Sequence, residues 1–318
     1  MFDFVKIWDI YHYWLWASAF VQKQPFVFEY PNLALIPMVL PRLLTDSYQL
    51  YALYFHIEMI VCAGLVALLI KKVMKLSPMP FLIIFVALFG ILIELLDVYV
   101  SLITFVSVLL FDKKKYWWSA IFLCLASATK IYPLVLFPLF GIRLLKDKYK
   151  LIPFVISGIL SIILIFSNSF SISFHKDRPV QPESIYGSMA YFRNPKPELI
   201  YAHNAIEYKD IFLPLWIPVA LLTFGFVRAI QQKSIFVSSF YMILSFIVAN
   251  KVLSPQYLIW IAPFIVFVQK KTKWAIIIAT GLTLWYLGMY NQTIVERIAP
   301  FPWILTVRNF LLMIGLYL

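Results

Sequence analysis

Long apolar runs, separated by short polar connections, cover most of this chain. We predict a membrane helix for each of eleven runs, at residues 47–70, 79–96, 98–112, 117–129, 133–145, 151–168, 211–228, 235–250, 257–268, 274–291 and 302–318. The pattern is typical of an all-α polytopic membrane protein. We expect one integral-membrane domain over residues 1–318, in which helices at 47–168 and 211–318 follow two polar segments, 1–46 and 169–210.

Basic residues occur mainly in five short connections between these runs. The five clusters are Lys71, Lys72 and Lys75; Lys113, Lys114 and Lys115; Arg143, Lys146, Lys148 and Lys150; Arg228 and Lys233; and Lys270, Lys271 and Lys273. Threading eleven spans places all five clusters on one side of the membrane. By the positive-inside rule that side is cytoplasmic, so the two long polar segments are predicted to be outside, in a plasma-membrane protein.

Composition narrows the class of protein. The chain is 63% hydrophobic and 13% charged, whereas a soluble domain is about half apolar and about a quarter charged. This excludes a water-soluble enzyme and a disordered chain. The net charge of +12 follows from the inner-face lysines and arginines, which contact anionic lipid. We expect membrane lipids as partners and no nucleic acid.

The N-terminal segment is expected to lie on the membrane rather than across it. Residues 1–22 are aromatic and amphipathic, with Trp8, Trp14 and Trp16 suited to the headgroup level. Because the threading places Met1 outside with no span before it, we expect a leading transmembrane helix to be missing from this sequence.

Two pairs of runs are too short to cross a bilayer in a straight line. Runs 117–129 and 133–145 are each roughly 20 Å long as helices, against a hydrocarbon core of about 30 Å. Lys130 lies in the connection of this pair, and Lys251 lies in the connection between 235–250 and 257–268. A charge at this depth costs a few kcal/mol unless it is paired or hydrated. We therefore predict an outward-facing recess that contains both lysines.

Carboxylates reach the same side of the membrane. Asp97 follows the run at 79–96, one turn after Glu94, while Asp9 and Glu29 lie in the first outer segment. A recess with both lysines and carboxylates suits an anionic headgroup and acid–base chemistry. The plainer alternatives stay open: Asp9 and Glu29 as solvated loop charges, and Asp97 with Glu94 as a structural partner for a lysine. The sequence has no metal-binding motif, so neither a metal nor another cofactor is expected.

Four segments resemble one family of enzymes. They are FEYPNLALIPMVLP (28–41), SATKIYPLVLFPLFGIRLL (127–145), HKDRPVQPES (175–184) and NKVLSPQYLIWIAPF (250–264), with ELLDVYVSL (94–102) as an acidic segment in the expected order. Together they resemble the polyprenol-phosphate-dependent mannosyltransferases of family 87, in the GT-C superfamily of membrane glycosyltransferases. One departure is Asn32, which stands where the family has a second proline.

The resemblance implies an activity and a set of residues. The activity is inverting transfer of a hexose, mannose in that family, from a polyprenyl-phosphate donor to a hydroxyl of a lipid-linked or glycan acceptor. Asp9 is then the general base, with Asp3 in reserve, and Glu29 is a second catalytic residue that orients the acceptor or serves as the alternative base. Lys130, Arg178 and Lys251 bind the donor phosphate. The other substrate-binding residues are Tyr13, Tyr30, Asp97, His175, Gln181, Glu183, Gln256 and Tyr257.

Two other classes of function remain possible from the residues alone. A transporter or flippase for an anionic or lipid-linked substrate also uses broken helices and intramembrane charges. A non-catalytic membrane subunit would need no carboxylate near the lysines. Long polar segments on one face only, without an inverted repeat, favour the enzyme.

Overall fold

The computed structural model is predominantly helical. It describes residues 3–74, 96–193, 198–202, 205–209, 211, 214–290, 293–294, 296 and 301–318, and the side chains of residues 3–8, 177, 202, 205 and 301 are not among the described features. The predicted run at 79–96, apart from its last residue, therefore lies outside the described residues, as does Glu94. The chain divides into two compact units, residues 1–173 and residues 174–318, called here the N-terminal unit and the C-terminal unit.

The N-terminal unit consists of helices joined by short turns. They are α1 (Asp3–Val21), α2 (Leu35–Leu44), α3 (Tyr48–Met74), α4 (Asp97–Asp112), α5 (Tyr116–Thr129), α6 (Leu136–Leu144) and α7 (Lys148–Phe166), with 3₁₀ turns at Asn32–Ala34 and Tyr132–Val135. Helix α8 (Ser169–Asp177) follows. Helices α4 and α5 come close together through a reciprocal serine pair. The Ser107 and Ser119 hydroxyls each donate to the other residue's carbonyl at 2.8 Å.

The C-terminal unit adds six helices and a hairpin. They are α9 (Ile185–Arg193), β1 (Leu199–Ala202), β2 (Ala205–Tyr208), α10 (Trp216–Gln231), α11 (Ile235–Ala249), α12 (Leu258–Ile261), α13 (Lys270–Gly288) and α14 (Phe301–Tyr317), with 3₁₀ turns at Pro255–Tyr257 and Ala262–Phe267. Helix α11 is buried along almost its whole length. A Cβ atom at Gly225 of α10 would lie 2.1 Å from the Ser245 Cβ of α11, so the glycine allows these two helices to approach.

Most of the predicted helices are present near their expected positions. Helices α4 and α5 begin within one residue of the predicted 98–112 and 117–129. Two helices, α3 and α7, are long and apolar enough to cross a membrane, and several shorter helices are apolar as well. The run at 257–268 is not one helix. Pro263 stands where α12 gives way to a 3₁₀ turn, because proline removes an N–H and disfavours a continuous helix.

The segment 169–210 requires a correction. We predicted it as an outer loop of an all-α protein, but it contains α8, α9 and an antiparallel hairpin in which Leu199 pairs with Tyr208 and Ala202 with Ala205. Tyr208 and Val180 are buried in one small apolar cluster with Tyr186. These short elements are stabilised by packing on their neighbours, and an element of four to nine residues has too little periodicity to be recognised in a sequence.

Candidate functional site

A buried ion pair forms the centre of the polar residues in the N-terminal unit. The Lys130 Nζ donates to Asp97 Oδ1 at 2.7 Å. The Asp97 side chain is fully buried and that of Lys130 is 12% exposed. The two side chains offset each other's charge, which is the condition for placing charges where water is scarce.

Local chain geometry positions both members of this pair. Helix α5 ends at Thr129, and Lys130 is extended, with φ −151° and ψ 139°. Pro133 follows at the start of a 3₁₀ turn, and the helix therefore ends just before Lys130. Asp97 is the first residue of α4, where the helix dipole favours a negative charge.

Aromatic rings lie beside the ion pair, and two further carboxylates, Asp9 and Glu29, lie close enough to act on one of these rings. The Lys130 Nζ lies 5.5 Å from the centre of the Tyr30 ring, and the ring of Tyr13 packs against that of Tyr30 with centroids 6.4 Å apart. Burial raises the pKa of the Tyr13 hydroxyl well above its ordinary value, and negative charge on Asp9 and Asp97 raises that pKa further. The structure thus brings together a set that we call the Asp97 cluster: Asp9, Tyr13, Glu29, Tyr30, Asp97 and Lys130.

The segment that carries Glu29 and Tyr30 is held in place by residues far away in the sequence. The Asn168 Nδ2 donates to the carbonyl oxygens of Phe28 and Tyr30, both at 2.8 Å. The Ser171 hydroxyl donates to the Glu29 carbonyl at 2.9 Å. Asn168 and Ser171 were not predicted as site residues. An amide after an apolar run carries no sequence signal that would distinguish it from a loop residue.

The C-terminal unit contains a second buried ion pair. The Arg178 Nε donates to Glu207 Oε1 at 2.9 Å, with Glu207 fully buried and Arg178 11% exposed. The guanidinium also lies over the Phe174 ring at 5.7 Å. Glu207 belongs to β2, so the hairpin that the sequence did not predict supplies the partner of a predicted phosphate-binding arginine.

Glu183 lies beside two buried polar residues of α14. The Arg308 Nη2 donates to the Glu183 carbonyl at 2.7 Å. The Asn309 Nδ2 donates to Ser184 O at 3.0 Å and to Ser188 Oγ at 2.8 Å. Burial raises the pKa of the Glu183 carboxyl to about 7, although the charges of Arg308 and Arg178 oppose the shift. We call the set Arg178, Gln181, Glu183, Glu207, Arg308 and Asn309 the Glu183 cluster.

A helix cap fixes the chain next to Glu183. Ser184 precedes α9, and its hydroxyl accepts from the Gly187 N–H at 2.9 Å, which satisfies one of the free donors of the first turn. A Cβ atom at Gly187 would lie 2.4 Å from the carbonyl oxygens of Gln181 and Pro182. Glycine is therefore required for the chain to pass this close to itself.

Lys251 contacts the same segment, and the other predicted residues of the C-terminal unit contact their own neighbours in the chain. The Gln181 N–H donates to the Lys251 carbonyl at 3.0 Å, and the Lys251 Nζ donates to the Lys176 carbonyl at 2.8 Å. Gln256 accepts from the Ser254 hydroxyl at 2.7 Å, and the buried Tyr257 ring stacks on Trp260. The His175 ring contacts Phe174.

Arg308 is the residue that sequence reasoning should have found. It is completely buried in a run predicted as a membrane helix, where a charge is expensive. The rule that singled out Lys130 and Lys251 applies equally to Arg308. Among the described residues, its Nε and Nη1 atoms have no hydrogen-bond partner.

The predicted site residues thus form two groups, one in each unit. Asp9, Tyr13, Glu29, Tyr30, Asp97 and Lys130 are together in the N-terminal unit, and Arg178, Gln181 and Glu183 are together in the C-terminal unit. The side chain of Asp3 is outside the described residues. The shared recess of Lys130 and Lys251 stays a prediction.

Comparisons with known proteins identify no relative. No family model matches the sequence, and no curated protein or solved structure matches significantly. A function can accordingly be inferred from the residues and from the geometry within each unit.

Proposed function

We propose that this protein is a multi-pass membrane glycosyltransferase that moves a hexose, mannose in the first instance, from a polyprenyl-phosphate donor to an acceptor hydroxyl outside the cytoplasm. The observation that carries the proposal is the Asp97 cluster. It combines a lysine that is mostly shielded from water with three carboxylates, two of them on the segments that resemble the mannosyltransferases.

The reaction needs a base and a cation but no general acid. Asp9 accepts the proton of the acceptor hydroxyl as its oxygen forms a bond to the anomeric carbon on the face opposite the phosphate. The bond between the anomeric carbon and the phosphate oxygen breaks, and its electron pair leaves with the polyprenyl phosphate. The configuration of the sugar is therefore inverted.

Lys130 stabilises negative charge as it grows on the leaving phosphate. A preorganised cation in a water-poor site is typically worth several kcal/mol of activation barrier. Asp97 fixes the position of the ammonium group at 2.7 Å, and Glu29 orients the acceptor. The proposed substrate-binding residues of the C-terminal unit are Arg178, Lys251, Gln181, Glu183, Gln256 and Tyr257.

Membrane insertion is supported by the apolar helices. Within the described part of the chain, two helices have the length and hydropathy to cross a bilayer, and seven shorter apolar segments accompany them. We propose that these shorter segments are also within the membrane, as the basic clusters between them suggest, with the outer segments on the extracytoplasmic side.

The test is a transfer assay on membranes that contain the full chain. Labelled polyprenyl-phosphate mannose is supplied with an extracted pool of lipid acceptors. We expect label in a new product with the wild-type chain and a loss of roughly 10²–10⁴-fold with Asp9→Asn, the usual contribution of a general base. The matched control is Asp112→Asn, an exposed carboxylate at the end of α4, which should transfer normally.

Two results would contradict the proposal. One is equal transfer by wild type and Asp9→Asn, which would remove Asp9 from the chemistry. The other is membrane-inserted protein that transfers neither mannose nor other hexoses from lipid phosphates but moves a labelled polyprenyl phosphate across the bilayer, which would establish a flippase.

A further inference from the structure

A groove in the N-terminal unit lies apart from the ion pair. It runs along the C-terminal half of α1 and is bordered by the segment after that helix and by the end of α2. Its volume is about 610 Å³, within the roughly 300–1,000 Å³ of small-molecule sites. We call it the Trp14 groove and define it by Trp14, Trp16, Gln22, Gln24, Arg42 and Asp46.

Two indole rings line the groove and are held by other aromatic rings. Trp14 packs against Tyr11 and Tyr48, with centroids 5.8 Å away in both cases. Trp16 packs edge-to-face on Phe28 at 5.2 Å. Rings held in this way present fixed surfaces at little cost in conformational entropy, which suits the apolar C–H faces of sugar rings.

The Trp14 side chain also has an unused donor. Its Nε1 atom is shielded from solvent and has no hydrogen-bond partner among the described residues. A shielded indole N–H usually has an acceptor. A groove wall that includes this indole and two carboxamides favours a ligand with oxygen atoms over a purely apolar occupant such as an acyl chain.

The charged residues of the groove neutralise each other. The Arg42 guanidinium donates to the Ser18 hydroxyl at 2.9 Å and to the Thr45 carbonyl at 3.1 Å, and it pairs with Asp46 at 2.5 Å. Arg42 is buried and Asp46 is largely exposed, so the carboxylate oxygens can accept from a ligand. The paired charges provide no net attraction for an anion.

A tight turn brings the side chains of two glutamines to the groove. Lys23 has φ 55°, in the left-handed region. Its N–H donates to Phe20 O at 3.1 Å, and the next N–H, that of Gln24, donates to Ala19 O at 2.8 Å. These two backbone hydrogen bonds end helix α1 and reverse the direction of the chain. Gln22 and Gln24, on either side of Lys23, line the groove with exposed carboxamides.

We propose that the Trp14 groove binds a neutral oligosaccharide through its indole rings, carboxamides and the Arg42–Asp46 pair. Its position relates it to the Asp97 cluster, because the Trp16 ring lies 5.9 Å from the Tyr30 ring and Tyr30 lies under the Lys130 ammonium. In the reaction proposed above, on which this last assignment rests, the groove holds the acceptor glycan, since the donor is an anion.

Equilibrium dialysis tests the groove without requiring catalysis. The full chain in detergent is dialysed against tritiated mannotriose, and mannosyl transfer is measured on the same preparation. We expect Trp14→Ala to weaken mannotriose binding at least about tenfold and Gln24→Ala about threefold. Gln24 is exposed, so its variant should fold normally. The matched control is Trp117→Ala, an exposed tryptophan of α5 outside the groove, which should bind like wild type.

The outcomes separate this inference from the proposed function. Mannotriose binding that depends on Trp14 and Gln24 supports the groove, and it does so even if no mannose is transferred, a result that would overturn only the proposed function. Transfer by a wild-type chain that does not bind mannotriose overturns the groove and leaves the function intact. Binding that neither variant weakens, or that phosphatidylglycerol vesicles abolish, also overturns it, the latter by indicating a lipid site.

Discussion

The Asp97 cluster and the Glu183 cluster both contain a buried ion pair, and the Glu183 cluster adds buried side chains that bind the backbone. In the Asp97 cluster a side chain meets a side chain, as Lys130 pairs with Asp97. In the Glu183 cluster the buried side chains Arg308 and Asn309 mainly bind backbone carbonyls of residues 183 and 184. The contact with Asp97 fixes the position of the Lys130 ammonium group, whereas the contacts of Arg308 and Asn309 fix the path of the backbone. The comparison indicates that Arg308 and Asn309 hold the chain around residues 183 and 184, whereas the ion pair of the Asp97 cluster is the part that the proposed chemistry uses.

The largest effect is expected at the ion pair. Lys130→Met leaves the fully buried Asp97 without its cation, and removing one partner of a buried pair costs about 3–5 kcal/mol. The double variant Lys130→Met with Asp97→Leu should recover most of the free energy of unfolding but none of the sugar transfer. Unfolding in detergent and the transfer assay measure the two quantities. If the double variant transfers sugar normally, the pair is only structural and the contrast between the clusters disappears.

The next effect concerns pH and the Glu183 carboxyl. Its pKa is raised from 4.5 to about 7, first by burial, with Arg308, Arg178 and Glu207 as the charges that modify it. Because the folded state holds this proton more tightly than the unfolded state, the stabilisation is complete below pH 4.5 and is lost as pH rises through 7.

The free energy of unfolding, measured in detergent from pH 5 to 8, shows whether stability falls as the pH rises. Relative to Glu183→Gln, the wild type should lose roughly 3 kcal/mol of unfolding free energy across that range. The same measurement on Glu198→Gln, an exposed glutamate paired with Lys209, should parallel wild type. Identical slopes for wild type and Glu183→Gln would show that the Glu183 carboxyl does not titrate in this range.

The smallest effect on the free energy of unfolding is expected from the side-chain amide of Asn309. Asn309→Ala removes the donor to Glu183 O, Ser184 O and Ser188 Oγ and leaves buried carbonyls short of partners, at a cost of about 2 kcal/mol. Asn32→Ala is the control, because its amide makes an exposed hydrogen bond to the Ser167 hydroxyl and should matter by less than about 0.5 kcal/mol. The denaturant concentrations at the midpoint of unfolding compare the stability of the two variants. Equal losses would mean that the Glu183 cluster does not fix the chain as proposed.

The sequence predicted the longer helices better than the polar segment between them. Apolar runs such as the one that forms α4 determine a helix by their own length and composition. The break at Lys130 was predictable from Pro133 and from the cost of a buried charge. The hairpin of β1 and β2 was not predictable, because Glu207 and Tyr208 have partners distant in the sequence, among them Arg178 and Val180.

Part of the candidate site was predictable for a similar reason. Asp97, Lys130 and Arg178 are charges in or beside apolar surroundings, and each proves to be in a buried ion pair. Their partners could not all be named in advance. Pairing is a matter of three-dimensional distance, so Glu207 was missed although it is as deeply buried as Asp97. The anchoring amides of Asn168 and Asn309 act on backbone carbonyls, and backbone atoms leave no trace in a sequence.

The Asn168 anchor has a consequence for the order in which the protein is made. Its amide binds the carbonyl of Tyr30, 138 residues earlier in the chain, and Ser171 binds that of Glu29, 142 residues earlier. At about 5–20 residues per second, the ribosome delivers these anchors on the order of ten seconds after the segment that they hold. During that interval Glu29 and Tyr30 have left the ribosome without their final contacts. The Asp97 cluster is therefore completed late in synthesis, after α7 has been made.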